Sequence, residues 1–316
     1  MRKYVIIAEN DESKWEDQTG NVYHFPTKYI NKLTSGSLVI YYKGSMKKKQ
    51  YLSKRMSPDP HYFAMARIGE IYKDEENDRN YYAEILDYIS FPHPVAIKEG
   101  DNYLERIPES RKNNYWRDGV RLIDEDIYKS IIIKSGLVLE NMDGKMEVTY
   151  NESDLPMISE INIQESMYPL LKIKSTNKGE QKENMGIYTM HSKNAKVVGD
   201  RGEQIVIKFL EERLNNVEKS TLRWVANLGE KPGYDIEYID RNGNKIGVEV
   251  KSTVGKSFES FNITSNELFA AKSLKANYHL YLVAECLSES PKVQNIGNLF
   301  LESEVKLEPL TYKVCI

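Results

Sequence analysis

Apolar and polar positions alternate most regularly between residues 233 and 253. Over 245–251, Ile246, Val248 and Val250 fall on one side of an extended chain, and Gly247, Glu249 and Lys251 on the other. Over 234–239, Tyr234, Ile236 and Tyr238 alternate in the same way with Asp235, Glu237 and Ile239. The two runs predict a β-hairpin, and its register decides which side chains meet. A two-residue Asn242-Gly243 turn sets Asp235 opposite Val250 and splits the carboxylates between faces. A three-residue loop, Arg241-Asn242-Gly243, with Gly243 in the left-handed position, pairs Asp235 with Glu249 and Tyr234 with Val250. We expect the second register, because it unites both apolar faces.

Around the hairpin the periodicity changes. Ile205, Val206, Phe209, Leu210 and Leu214 form a helical stripe over residues 200–214, with Asp200 and Glu203 spaced like a capping-box variant at its start. Residues 222–228 read as the strand beside the hairpin. Thr264 with Glu267 predicts a capped helix over 267–274, and Glu267 is expected to serve that cap rather than to bind a ligand. Residues 278–285 form a continuous apolar strand suited to the middle of a sheet. Upstream of residue 136 the pattern is of short aromatic strands (KYVIIA, SLVIYY, YFAMARIGEIY, YYAEILDY) that suit a small barrel or strongly bent sheet. A helical segment is expected over 27–33, and Gly119-Val120-Arg121 leads into a short helix. Residues 137–196 show no sustained period. The reading is a two-domain α+β / α/β chain: 1–136, a connector at 137–196, and 197–316.

Paired Asp235 and Glu249 repel unless a cation lies between them. Two hard oxygen ligands with room for water and phosphate suit Mg2+, with Mn2+ able to substitute. Lys251, on the same face, would then meet a scissile phosphate or the attacking water, the apparatus of metal-assisted phosphodiester hydrolysis. The formal net charge of −3 gives no global attraction to nucleic acid, so any polyanion site must be local. Lys43, Lys47, Lys48, Lys49, Lys54 and Arg55 form an acid-free run that suits DNA backbone contacts. Trp15, His24, Phe25 and Tyr42 are candidates for an aromatic pocket around an extruded base.

Other chemistries lack their signatures. Cys286 and Cys315 have neither disulfide-framework nor zinc spacing, and a reducing cytoplasm is expected. The five histidines show no metal spacing. There is no phosphate-binding loop for an ATPase in this chain, no nucleophile elbow, and no run long enough for a membrane.

Asp235 followed by Glu249-Val250-Lys251 resembles the PD-(D/E)XK nuclease superfamily, in particular the branch at the C-terminus of plant NO VEIN-like proteins. The resemblance covers roughly residues 198–300, including Glu203 on the preceding helix and the ITSNE segment at 263–267; Tyr234 stands where the usual proline precedes the aspartate. It implies a restriction-endonuclease-like mixed sheet flanked by helices, with metal ligands Asp235 and Glu249 and catalytic roles for Lys251 and Glu203. Segments 22–26, 35–44, YFAMARIGEI and 119–123 resemble the PUA-like group and its EVE and SRA relatives, implying a PUA-like β-barrel that reads nucleobases, often modified ones. Together the resemblances imply a modification-dependent DNA restriction endonuclease acting near a modified cytosine in phage defence, working on double-stranded DNA as a homodimer. Alternatives are a restriction endonuclease reading unmodified sequence beside a partner methyltransferase, and a non-catalytic nucleic-acid reader or RNA-binding adaptor.

Overall fold

In a computed structural model, the described residues are 2–12, 18–142, 145–171, 192–258 and 260–301, with 305 and 307. Trp15, Cys315 and the Lys54 side chain lie outside them.

The aromatic strands of the first half form a six-stranded curled sheet. Its members are β1 (Tyr4–Ala8), β2 (Val22–Pro26), β3 (Leu38–Lys43), the long β4 (His61–Lys73) and β5 (Asn80–Ala96), and, after a two-rung hairpin of β6 (Lys98–Glu99) and β7 (Asn102–Tyr103), β8 (Val120–Ile123). The order is β2-β5-β4-β3-β1-β8, with β1 and β3 parallel and the other pairs antiparallel. Register shifts in the β4/β5 ladder bend the sheet into a half-barrel. Its edges are tied by side chains: the Tyr23 hydroxyl donates to the Gly119 carbonyl at 3.1 Å, and the Gly119 N–H donates to the Tyr29 hydroxyl at 2.9 Å. The residues expected to be helical over 27–33 begin instead with a single 3-10 turn at Thr27–Tyr29.

Strand alternation builds two cores. Val5, Ile7, Phe25, Val39 and Tyr41 fill one face. Ile6, Leu38, Ile40, Tyr42 and Met65 face the other way, against Ile127, Tyr128, Ile131 and Ile132 of α1 (Glu125–Lys134). Leu137, Val148 and Tyr150, from β9 (Leu137–Met142) and β10 (Lys145–Tyr150), extend that second core.

The second half is a mixed six-stranded sheet between helices. It contains β11 (Gln164–Glu165), α2 (Ser192–Arg213), α3 (Asn216–Ser220), β12 (Arg223–Trp224), β13 (Ile236–Ile239), β14 (Lys245–Ser252), α4 (Ser265–Leu274), β15 (Tyr278–Ala284) and β16 (Lys292–Asn295), with strand order β11-β16-β15-β14-β13-β12. α2 lays Ile205, Val206, Phe209 and Leu210 on Ile236, Val248, Val250, Tyr281 and Val283. Each such side chain, fully buried, contributes about 1.5–3 kcal/mol. α4 covers the opposite face, where Ala270 and Ala271 pack on Tyr234 and Tyr278. β14 and β15 run parallel, joined by α4 as a crossover.

One expectation is corrected here. α2 begins at Ser192, so Asp200 and Glu203 lie inside the helix rather than at a cap; Asp200 is ion-paired with Lys196 one turn earlier. Residues 151–171 carry local structure that packs on the second sheet. Asn162 and Gln164 donate backbone N–H groups to Glu289 and Pro291 carbonyls at 2.8 and 2.9 Å, and Lys208 donates to the carbonyls of Ile158, Ser159 and Ile161. The two halves meet through Ser90, whose hydroxyl donates to Glu285 at 2.8 Å, and through His93 and Glu289 at 3.2 Å.

Gly202 sets the distance between α2 and β14, because a Cβ there would stand 2.5 Å from Ser252 Cβ and 2.7 Å from its Oγ. Alanine in an open helix position gains up to about 1 kcal/mol over glycine, whereas overpacking costs about 1–3 kcal/mol. Gly202→Ala should therefore lower the urea midpoint; a raised midpoint would show that α2 does not need this close approach.

Candidate active site

The hairpin adopts the three-residue loop. Ile236 pairs with Val248 and Ile239 with Lys245, the expected register; the ladder ends there, and the Asp235 N–H donates to the Val248 carbonyl at 2.9 Å, so Asp235 enters the site through a break in the pairing. Gly243 has φ +80°, and the Asp240 N–H donates to the Asn244 carbonyl at 2.9 Å to close the loop. Alternation holds within the strands and breaks just before them: Tyr234 packs with Ala270, Ala271 and Tyr278 on the α4 side, not with Ile236. Gly233, at φ +95°, turns the chain there. Glu237 leaves the site altogether, tied to Arg223 at 2.7 Å, the Tyr234 hydroxyl at 2.9 Å and Lys245 at 3.1 Å.

Asp235, Glu249 and Lys251 lie close together. Asp235 Oδ2 accepts from the Val250 N–H at 2.8 Å, and Lys251 Nζ donates to Glu249 Oε1 at 2.7 Å. The same amine donates to Glu267 Oε2 at 2.8 Å, so the acid expected only to cap α4 does so and also holds the lysine. Glu203 reaches the site from α2 and accepts a hydrogen bond from Trp224 Nε1. Sequence reasoning missed Trp224 and Tyr278. Tyr278 is fully buried, beside Gly247 in the ladder, and its hydroxyl has no partner among the described residues. Its position in an unbroken apolar strand gave no sign of a polar role.

The electrostatics are those of a site short of positive charge. Burial and the neighbouring Asp235 push the Glu249 carboxyl up to about 9, against the pull of Lys251. Burial raises Asp235 to about 6 despite the Val250 N–H. Burial and Asp235 raise Glu203 to about 7. At Lys251 burial is outweighed by Glu249 and Glu267, and the pKa is raised; at Glu267 burial is outweighed by the Lys251 ammonium, and the pKa is lowered. Three carboxyls thus hold protons that a cation can displace.

The donor chemistry fits a hard divalent ion at Asp235 and Glu249. Among the described residues, Asp235 Oδ1 and Glu249 Oε2 accept no hydrogen bond. No group of three or more His, Cys, Asp or Glu among them cages a metal, so two carboxylates would leave most positions to water or substrate oxygens.

The N-terminal candidates do not converge. Phe25 is 1% exposed in one core and Tyr42 4% exposed in the other, so the sheet lies between them. His24 is buried, with Nε2 3.0 Å from Asp74 and its ring stacked on Tyr82. Tyr42 instead packs on Tyr62 and Trp116 under the Arg121 guanidinium. Two of the expected DNA-backbone cations are also internal: Lys43 pairs with Glu9 at 2.8 Å, and Arg55 with Asp11 at 2.7 Å. Lys47, Lys48 and Lys49 are exposed, and Lys48 lies 2.5 Å from Glu12.

These shifts give stability a definite pH dependence. Unfolded, the three acids titrate near 3.8 and 4.5; folded, near 6, 7 and 9. Between those limits the native state holds protons that the unfolded chain has released, so stability must fall as pH rises through the window. Glu249→Gln should remove the largest share of that slope, and millimolar Mg2+ should flatten it in the wild type. Thermal melts from pH 5 to pH 9 check this; a slope unchanged by Glu249→Gln contradicts it.

Residues 202–296 match a family model described as Protein NO VEIN, C-terminal. The match runs from α2 through β16 and contains Glu203, Asp235, Glu249, Lys251 and Glu267. No curated protein matches the chain. Over that stretch, the chain is similar to the C-terminal region of Protein NO VEIN.

Proposed function

We propose that the chain is a Mg2+-dependent endonuclease of double-stranded DNA whose N-terminal half restricts cutting to sites near a modified base, a modified cytosine first among them. The observation that carries this reading is the gathering of Asp235, Glu249 and Lys251 at one end of the hairpin, Asp235 bonded to the Val250 N–H and Lys251 to Glu249. Glu203 comes from α2 and Lys251 meets Glu267 of α4, and the resemblance of the Asp235, Glu249-Val250-Lys251 motif to PD-(D/E)XK nucleases agrees with this arrangement.

The division of labour follows from the chemistry of each group. Asp235 and Glu249 would hold the ion, and Mg2+ when bound supplies Lewis-acid activation of water and of a phosphate oxygen. Lys251 carries a compact positive charge that stabilises negative charge developing on the phosphate. Glu203, with a pKa near neutrality, suits exchange of a proton with the attacking water. One such site cuts one strand, so a break in both strands calls for two chains, and a homodimer is the simplest supply.

Restriction to modified DNA is the part of the proposal that protects a host genome from a resident nuclease. Segments 22–26, 35–44 and 119–123, with their sequence resemblance to base-reading PUA-like domains, support a reading role for this half, although Phe25 and Tyr42 cannot share a pocket. Exposed Lys47, Lys48 and Lys49 remain the candidates for phosphate contact.

Incubation of the protein and Mg2+ with phage DNA carrying modified or unmodified cytosine tests the reading. The wild type should cut modified DNA preferentially, and Asp235→Ala or Lys251→Ala should abolish cutting while DNA binding persists; full cleavage by either variant would sink the assignment of the site. Equal cleavage of both DNAs would reject the modified-base restriction. Replacing Lys47, Lys48 and Lys49 together should weaken binding to both duplexes and reduce the salt slope by up to about 3. An unchanged slope in filter-binding titrations would remove that segment from the interface.

A further inference from the structure

Lys251 is held from two directions. Its amine donates to Glu249 on its own strand and to Glu267 on the first turn of α4, at 2.7 and 2.8 Å. Glu267 is at the same time the acid of the α4 capping box: its Oε2 accepts from the Thr264 N–H at 3.2 Å, and its own N–H donates to Thr264 Oγ1 at 3.2 Å. An acid that only caps a helix needs no third partner and commonly faces water; this side chain is 17% exposed, against a lysine that is 18% exposed.

The second contact matters because a divalent ion on the open Oε2 of Glu249 would draw negative charge from the Oε1 that holds Lys251 and weaken that anchor. If Glu249 takes a cation, a lysine on a flexible four-carbon stem has one of its two anchors weakened. The other anchor is Glu267, which is fixed to backbone at both ends of its reach. Its own end is fixed by the cap, and α4 is fixed by Asn266 Nδ2 donating to the Lys231 carbonyl at 2.8 Å. We propose that Glu267 is a positioning residue for Lys251, retaining the amine at the reacting phosphate when Glu249 serves the cation. This inference rests on the reading of the site as a metal-dependent phosphodiesterase.

The capping box itself supplies a clean test, because glutamine serves at its third position as well as glutamate does. Glu267→Gln therefore keeps the cap and removes the carboxylate facing Lys251, whereas Thr264→Ala breaks the cap and leaves that carboxylate in place. In single-turnover assays with the full chain, Mg2+ and cleavable DNA, Glu267→Gln should slow cleavage about 10- to 100-fold with DNA affinity unchanged. Thr264→Ala should lower the melting temperature and retain most of the cleavage rate. Cleavage by Glu267→Gln at the wild-type rate, or equal losses in the two variants, overturns the proposal. A double-mutant cycle of Lys251→Gln with Glu267→Gln, read by urea unfolding, should be non-additive, and additivity overturns the pairing whatever the cleavage data show. If the wild type cuts no DNA, the nuclease reading falls, and the cycle still decides whether Glu267 holds Lys251.

Discussion

Four carboxylates from α2, the hairpin and α4 crowd one site: Glu249 and Glu267 hold the Lys251 amine, Asp235 lies beside Glu249, and Glu203 comes in next to Asp235. In a partly dry site such a set cannot all be charged, because burial weakens solvation while like charges repel. The fold relieves the conflict by leaving three acids partly protonated near neutrality and keeping Glu267 and Lys251 as an ion pair. Everything nearby serves to hold that arrangement. Gly202 lets α2 come close enough to bring Glu203 in, Gly247 leaves room for Leu274 and Tyr234, and α4 returns the chain to β15 alongside β14. A divalent cation is the simplest way to discharge the stored repulsion, which links the cost of building the site to its proposed chemistry.

Much of the site was legible because strand alternation is a strict code. Gly243 chose the loop and the loop chose the register, which holds from Ile239 back to Ile236, while Asp235 joins Glu249 just past the paired ladder. The α4 cap was equally readable from Thr264 and Glu267, since a capping box is a local interaction. What stayed hidden depended on partners distant in sequence. The cap revealed one task of Glu267 and not its contact with Lys251, which comes from packing α4 on the sheet. Tyr234 left its alternating face because Gly233 turns the chain immediately before the strand. α2 starts before its apolar stripe, because residues 192–196 are mostly polar and the stripe begins only at Val197 and Val198.

The N-terminal half shows the limits of composition more plainly. Lys43 and Arg55 sit in a run without acids, yet Glu9 and Asp11 reach them from the end of β1 and neutralise them internally. Phe25 and Tyr42 look alike in a list of aromatics, but strand parity puts them in opposite cores. The aromatic content that suggested a base pocket is largely used to fill a half-barrel and to surround the buried Arg121–Glu105 pair. Of the residues that first suggested recognition by this half, Lys47, Lys48 and Lys49 stay exposed.

The central claim is that Asp235 and Glu249 form a divalent-cation site. Electron paramagnetic resonance titration of Mn2+ into the full chain, without DNA, tests it most directly. The account predicts saturable binding by the wild type and its loss in Asp235→Asn and in Glu249→Gln, with Mg2+ competing for the same ion site. Absence of saturable binding, or binding that survives both substitutions, would contradict it.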